Sequence, residues 1–242
     1  MPTYGVIGMG RMGQSILSVL EGTPGLSARP FYRLTPDTEQ ALRTCDVVIE
    51  FTTAEAAPGI IKRCIELQVP VVSGTTGWQE YHLSEIITFC KTHQGKFLHA
   101  SNFSIGMNIV FALNSKLASL LTAYPEFKPA LKEIHHSHKK DSPSGTAYTL
   151  VEEIIRQQPQ YAGISLQAMP PGMPSHLIPV EAIREGEVKG YHEVIWSSGL
   201  EKIALSHEAF DRSIFSRGAV MAAKWLQAQP NGVYTMRDFI QV

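Results

Sequence analysis

Over roughly the first hundred residues short apolar runs alternate with segments of helical period, and few folds accept that pattern. Tyr4 to Ile7 reads as a strand, and Arg11 to Leu20 as a helix with Met12, Ile16, Val19 and Leu20 on one side. Gly22 stops that helix. A second strand is expected near Arg29 to Leu34. Asp46 to Phe51 is another, with a continuous apolar centre suited to burial on both faces. A helix over roughly Pro58 to Leu67, the strand Pro70 to Ser73, a helix over about Gln79 to Thr92 and the strand Lys96 to Ala100 follow. Strands separated by helices at this spacing pair in parallel, with helices covering both faces. This half is expected to be α/β, a Rossmann-like, doubly wound parallel sheet.

The second half reads as α+β. A long helix is expected over Ile105 to Leu121, a strand near Leu131 to His136, and a helix from about Gly145 to Gln157 with Ala147, Leu150, Val151, Ile154 and Ile155 at helical spacing. After a loop rich in Pro and Gly (Met169 to Pro174), Leu177–Arg184, Gly190–Ser197 and Leu200–Ser206 read as antiparallel strands joined by turns containing Gly. A last helix, Arg212 to Gln227, precedes the turn Pro230-Asn231-Gly232. The expectation is an open mixed sheet with helices on one face, leaving the other face for a partner subunit.

Composition narrows the function classes. A chain of 242 residues is long enough for one or two domains with proper cores. A formal charge of −1 excludes gripping nucleic acid by bulk phosphate neutralisation. Cys45, Cys64 and Cys90 are odd in number and widely spaced, which fits reduced thiols. No cationic leader opens the chain, and no unbroken apolar run approaches a membrane span. The expectation is a cytoplasmic protein with no membrane partner.

Gly8-Met9-Gly10-Arg11-Met12-Gly13 is a G-x-G-x-x-G turn between a strand and a helix. The first glycine permits the tight turn, and the second lets backbone approach a pyrophosphate. The third packs the helix on the sheet, and the helix N-terminus supplies positive potential. Dinucleotide binding follows. No acid ends the second strand to hold ribose hydroxyls; Arg33 stands there, and a cation suits a 2′-phosphate. Asp37 and Glu39 lie just beyond, so NADH and NADPH both remain open. Gly74-Thr75-Thr76-Gly77 and Ser101-Asn102-Phe103-Ser104 sit just past strand ends, where such a sheet binds its ligand, and Phe103 could lie against a flat ring.

The densest group of functional side chains runs from Glu133 to Ala147. Ser144 suits an N-cap, and Gly145 and Thr146 then present free amides that favour a carboxylate or phosphate. His135, His136, His138 and Lys139 add positive charge and proton donors. A small anionic substrate and acid chemistry fit this composition. In an extended strand His136 and His138 would share a face with His135 opposite, and Lys139 and Lys140 would repel a cation, so no metal is expected. Ser142 and Ser144 lack a nucleophile elbow. His82, His93, His99, His176, His192 and His207 read as surface or packing residues, as do Trp78, Trp196 and Trp225. Arg212, at the start of the last helix, could reach a cofactor phosphate.

These residues resemble the dihydrodipicolinate reductase family, whose signature E-x-H-x-x-x-K-x-D-x-P-S-G-T-A is met by Glu133, His135, Lys139, Asp141, Pro143, Ser144, Gly145, Thr146 and Ala147. The resemblance extends to Arg11-Met12-Gly13, the Gly74 to Gly77 loop, Asn102-Phe103-Ser104, and the run from Arg184 through Gly218-Ala219. It implies NADH or NADPH along the strand ends, with the pyrophosphate on Gly8 to Gly13. It further implies a small dicarboxylate held by His136, Ser144, Gly145 and Thr146, hydride transfer to ring C4, and an acid role for His135 and Lys139. It also implies a homotetramer. The expected division is 1–103, completed by about 212–242, for the dinucleotide, and 104–211 for substrate and oligomerisation. The family's glycine loop is commonly one residue longer, and Glu50 stands where the family often has Asp. Two other functions compete: a different nicotinamide oxidoreductase of amino-acid metabolism, and a non-catalytic dinucleotide-binding sensor.

Overall fold

The computed structural model describes residues 1–166 and 176–241. Its elements in chain order are β1 (Thr3–Ile7), α1 (Arg11–Glu21), β2 (Ser27–Phe31), α2 (Pro36–Leu42), β3 (Val47–Glu50), α3 (Ala57–Glu66), β4 (Val71–Ser73), α4 (Gln79–Thr92) and β5 (Lys96–His99). The order continues with α5 (Ile105–Leu120), β6 (Lys128–His135), α6 (Gly145–Gln157), β7 (Gly163–Ser165), β8 (Leu177–Arg184), β9 (Tyr191–Ser197), β10 (Lys202–Glu208), α7 (Ser213–Gln227), β11 (Gly232–Tyr234) and α8 (Met236–Ile240). The chain divides into two compact units, Met1–Ile105 with Ser213–Val242, and Gly106–Arg212.

The first unit is a six-stranded sheet in the order β11-β5-β4-β3-β1-β2, every pair parallel. Successive residues of its strands serve opposite faces. Val48, Val71 and Phe97 pack with Ile61, Ile65 and Ile86 of α3 and α4. Val47, Ile49, Val72 and Leu98 pack with Ile16 and Leu20 of α1 and with Ala219, Ala222 and Ala223 of α7. The small residues of α7 allow a close approach: a Cβ on Gly218 would lie 1.8 Å from the carbonyl oxygen of Phe103.

Two local expectations need correction. The second strand ends at Phe31, so Arg33 lies beyond it; Thr35 then caps α2, a helix the short polar run Pro36–Leu42 conceals. Gly22 ends α1 as expected, capping it with an ordinary helical φ of −79°. Gly232 opens β11 on the edge of β5, which places a strand where a turn was expected.

The second unit is a sheet in the order β10-β9-β6-β8-β7. Leu131, Ile178, Val180, Val194 and Trp196 form its inner face against Met107, Phe111 and Ala118 of α5 and Leu150, Val151 and Ile154 of α6. Burying each such side chain stabilises by about 1.5–3 kcal/mol. The helix and 3-10 turn over Ile105–Ala123 are long and apolar enough to cross a bilayer by composition; one side of them, with Met107, Phe111, Ala118 and Leu121, packs in the second unit's core. The opposite sheet face carries half-exposed Ala130, Ile134, Tyr191 and Ile195. One strand expectation is overturned: β8 makes no hairpin with β9. It pairs in parallel with β6, which lies between them. Sequential nearness favours a hairpin, but β6, whose inward residues Leu131, Glu133 and His135 are buried, inserts between the two strands. The loop Met169 to Pro174 lies outside the described residues.

Candidate active site

In the first unit the glycine turn has the geometry a diphosphate needs. Gly8 has a φ of +94°, and a Cβ there would lie 2.1 Å from the carbonyl oxygen of Phe51. A Cβ on Gly13 would lie 1.9 Å from the carbonyl oxygen of Gly8. Gly10, by contrast, faces open space. It caps α1 without a side-chain bond, and no acid occupies the first helical turn, so the leading amides are available to an anion. Met9 and Met12 pack against the core while Arg11 is exposed.

The remaining first-unit residues divide by exposure. Thr75 is buried, and its hydroxyl donates to Glu50. Thr76 is exposed, and Gly74 is pressed so tightly on Phe51 that a Cβ would meet its ring at 2.1 Å. Trp78 fixes this loop through Nε1–H to the Thr75 carbonyl, 2.8 Å. Phe103 is buried, tilted against Phe51 with centroids 5.7 Å apart; its ring is core, and the loop exposes Ser101 instead. The Asn102 side-chain carbonyl accepts from the Ser104 amide at 2.9 Å. Arg33 is exposed. Glu39 is committed to Arg63 at 2.5 Å, which removes it as a free ribose acceptor.

In the second unit sheet register assembles the chemistry. Alternation along β6 turns Glu133 and His135 inward. Antiparallel pairing sets Glu133 opposite His192, and parallel pairing sets His135 opposite Arg184. Glu133 is fully buried. Its carboxylate accepts from Arg184 Nη2 at 2.6 Å and from the Ser144 amide at 3.1 Å, and takes a very short bond from the Ser144 hydroxyl. His135 Nδ1 and His192 Nε2 each stand 3.6 Å from it. Burial opposes the charge on Glu133, but hydrogen bonds from His192, Ser144 and Arg184 outweigh it and hold the carboxyl down at about 2.

Ser144 caps α6 as expected. Its hydroxyl, however, faces inward: it gives its proton to Glu133, accepts from the Ala147 amide at 3.2 Å and lies 3.2 Å from His192 Nε2. Gly145 is open to its surroundings: a Cβ there would meet no atom within 4 Å. Thr146 follows it in the first turn of α6.

His135 is buried and edge-on to His192, ring centroids 4.9 Å apart. Burial, then the neighbouring His192, outweighs the pull of Glu133 and, with Lys139 and Arg184, pushes His135 down to about 4. His135 is therefore neutral at pH 7 before any anion arrives. The strand ends there, and a turn follows, so His136 and His138 do not continue an extended face. His136 is also shifted down, by burial and by Arg212, whose exposed charge bears on it. Lys139 Nζ grips both oxygens of Asp141 at 2.8 and 2.7 Å.

His192 and Arg184 are the site residues that a residue-by-residue reading misses, His192 passing there for packing. The signal that finds it is alternation: His192 shares its face with Val194 and Trp196, and a histidine on a buried face needs a polar partner. Ligand atoms of Glu133, His135 and His192 lie within 4.8 Å of one another. The Arg184 guanidinium already pairs with that carboxylate, which opposes a cation there.

A glycine turn on a doubly wound sheet, together with a basic and acid-capable cluster on a second unit, defines a nicotinamide-dependent oxidoreductase. Profiles described as dihydrodipicolinate reductase N-terminus and C-terminus match residues 3–103 and 106–240. The 4-hydroxy-tetrahydrodipicolinate reductase of Christiangramia forsetii is 37% identical over 97% of this chain and 96% of its own. That of Pelagibacter ubique is 36% identical over 96% of this chain and 95% of its own. The solved dihydrodipicolinate reductase of Paenisporosarcina sp. TG-14, with dipicolinate bound, superposes with a TM-score of 0.77 at 21% identity, covering 97% of each chain. The chain belongs to the dihydrodipicolinate reductase family.

Proposed function

We propose that this chain reduces 4-hydroxy-tetrahydrodipicolinate to tetrahydrodipicolinate, in lysine and diaminopimelate synthesis, using NADH or NADPH. The observation that carries the reading is the β6–β8–β9 register. It places His135, His192 and Arg184 around one buried carboxylate, with α6 capped from the same carboxylate.

The nicotinamide group, when bound, supplies the hydride. The amides after Gly10 would hold the pyrophosphate. Gly74, Thr75 and Thr76, with Ser101, Asn102 and Phe103, would line the strand-end loops beside it. Arg33 would meet a 2′-phosphate, and Arg212 could add charge toward an anion near His136. The amides of Gly145 and Thr146, with His136, would hold substrate carboxylates, while Ser144 acts by keeping α6 capped. Lys139 and His135 would carry the acid role. Lys139 Nζ, already hydrogen-bonded to Asp141, offers N–H donors at this point. A dianion arriving beside neutral His135 raises its proton affinity, because opposite charge favours the protonated ring. Dipicolinate, the ligand in the Paenisporosarcina enzyme, is the kind of planar dicarboxylate this arrangement would accept.

We also propose that the half-exposed sheet face with Ala130, Ile134, Tyr191 and Ile195 is covered in a homotetramer, and that the protein works in the cytoplasm. Loss of absorbance at 340 nm, with NADH and NADPH in parallel and substrate generated in place from pyruvate and aspartate semialdehyde by the preceding synthase, tests the function. Oxidation dependent on the synthase is expected. Folded protein that oxidises neither cofactor would move the sensor reading to the front.

A further inference from the structure

Glu50 closes β3 at the carboxyl edge of the first unit's sheet and is fully buried. Its Oε1 accepts from the Thr52 amide at 2.7 Å, the Thr52 hydroxyl at 2.5 Å and the Thr75 hydroxyl at 2.6 Å. Its Oε2 accepts from the Ser73 hydroxyl at 2.6 Å. Thr75 Oγ1 also accepts from the Thr52 amide at 2.7 Å, so its own proton is directed to Glu50. Every one of these donors is neutral. Among the described residues no Lys, Arg or His nitrogen lies within 4.0 Å of this carboxylate.

Four neutral donors satisfy the lone pairs and leave the net charge intact. A buried carboxylate without a cation is costly, and low-dielectric surroundings carry its field further than water would. That field is felt within the sheet: Cys64 is pushed up to about 12 by burial first and by Glu50 second.

Position gives the charge a use. In the strand order, β2 lies on one side of β1, and β3, β4 and β5 on the other. A dinucleotide laid across the strand ends with its pyrophosphate on the β1 turn puts its adenosine toward β2 and its nicotinamide toward the loops after β3 to β5. Glu50 ties together two of those loops, through Thr52 and through Ser73 and Thr75.

We propose that Glu50 is a positioning residue whose uncompensated buried charge favours the oxidised over the reduced nicotinamide and so eases hydride departure. This rests on the hydride-donor reading above. Hydride transfer to the substrate carbon would take two electrons from the ring and leave it with one positive charge, while the substrate's C4–O bond breaks and its hydroxyl leaves as water with the proton the acid supplies. Only the ring that has lost hydride is attracted by the carboxylate, so the interaction is stronger after transfer than before, which is what accelerates a step.

The test compares dissociation constants of NADPH and NADP+ for the full chain, wild type against Glu50→Gln and Glu50→Asp. Glu50→Gln is expected to weaken NADP+ relative to NADPH by about six- to sixteenfold, the size of one charge acting across roughly 10–15 Å of protein at an effective dielectric near 20. Glu50→Asp, which keeps the charge, is expected to restore the ratio. Equal weakening of both forms, or an unchanged ratio, would make Glu50 a loop tie only and overturn the proposal. Should Glu50→Gln not fold, wild type alone decides: the 1-methylnicotinamide cation should displace NADPH better than neutral nicotinamide, and equal, weaker or no displacement overturns it. Wild-type protein that binds neither dinucleotide would instead defeat the hydride-donor reading itself.

Discussion

Glu50 and Glu133 are both fully buried carboxylates, one in each unit, and they are satisfied by opposite means. Three hydroxyls and one amide surround Glu50. Glu133 has a guanidinium at 2.6 Å and two imidazoles at 3.6 Å. The first arrangement preserves a charge, and the second spends it on holding partners in place. Residue type and burial are the same in both, so the difference in role comes from the donors that neighbouring strands deliver.

The largest expected effect lies beside Glu133. Lys139→Ala should lower turnover by about a thousandfold, within the range for a lost general acid, read as the 340 nm rate at saturating substrate. Undiminished turnover would remove Lys139 from the chemistry. Next comes stability. Glu133→Ala strands the Arg184 charge and should cost about 3–5 kcal/mol in urea unfolding. Glu50→Gln strands no cation and should cost less; equal losses would break the comparison.

Acid should act on the second unit in two stages. Glu133 has its folded value held near 2 against an ordinary 4.5, so its contribution is present above about 4.5 and fades as pH falls toward 2. His135 titrates near 4 in the folded chain and near 6.5 when unfolded, so the unfolded chain binds its proton first. Stability therefore also drops as pH falls from about 6.5 to 4. Melting temperature against pH for His135→Asn should lose the upper stage and keep the lower. The smallest effect is expected at the exposed Arg33: if it meets a 2′-phosphate, Arg33→Ala should lower the ratio of NADPH to NADH activity by about threefold to tenfold, as befits one solvent-exposed phosphate contact.

Much of this molecule is legible in the chain. The bounds of α4 and α6 follow from helical period, because the face that must be buried repeats within the element itself. The glycine turn is equally legible, since Gly8 and Gly13 answer close backbone approaches, to Phe51 and to Gly8 itself, made within about forty residues. Partners of strands are less so. That β8 lies beside β6 in parallel, and that Glu133 meets His192, depends on a pairing no local run of residues encodes. The signature from Glu133 to Ala147 points to the candidate site, while Ser144's inward hydroxyl, Arg184's hold on Glu133 and the burial of the Phe103 ring needed the packed structure.

The return of α7 to the first unit has a consequence for how the protein is made. Ala219, Ala222, Ala223 and Leu226 complete a core that Tyr4, Val6 and Ile16 began, and β11 adds the final edge beside β5. During synthesis Gly106–Arg212 emerges whole while the first unit still lacks one of its walls. The ribosome thus releases the inserted unit able to close before the one it interrupts, whose core waits for α7 and β11 to emerge.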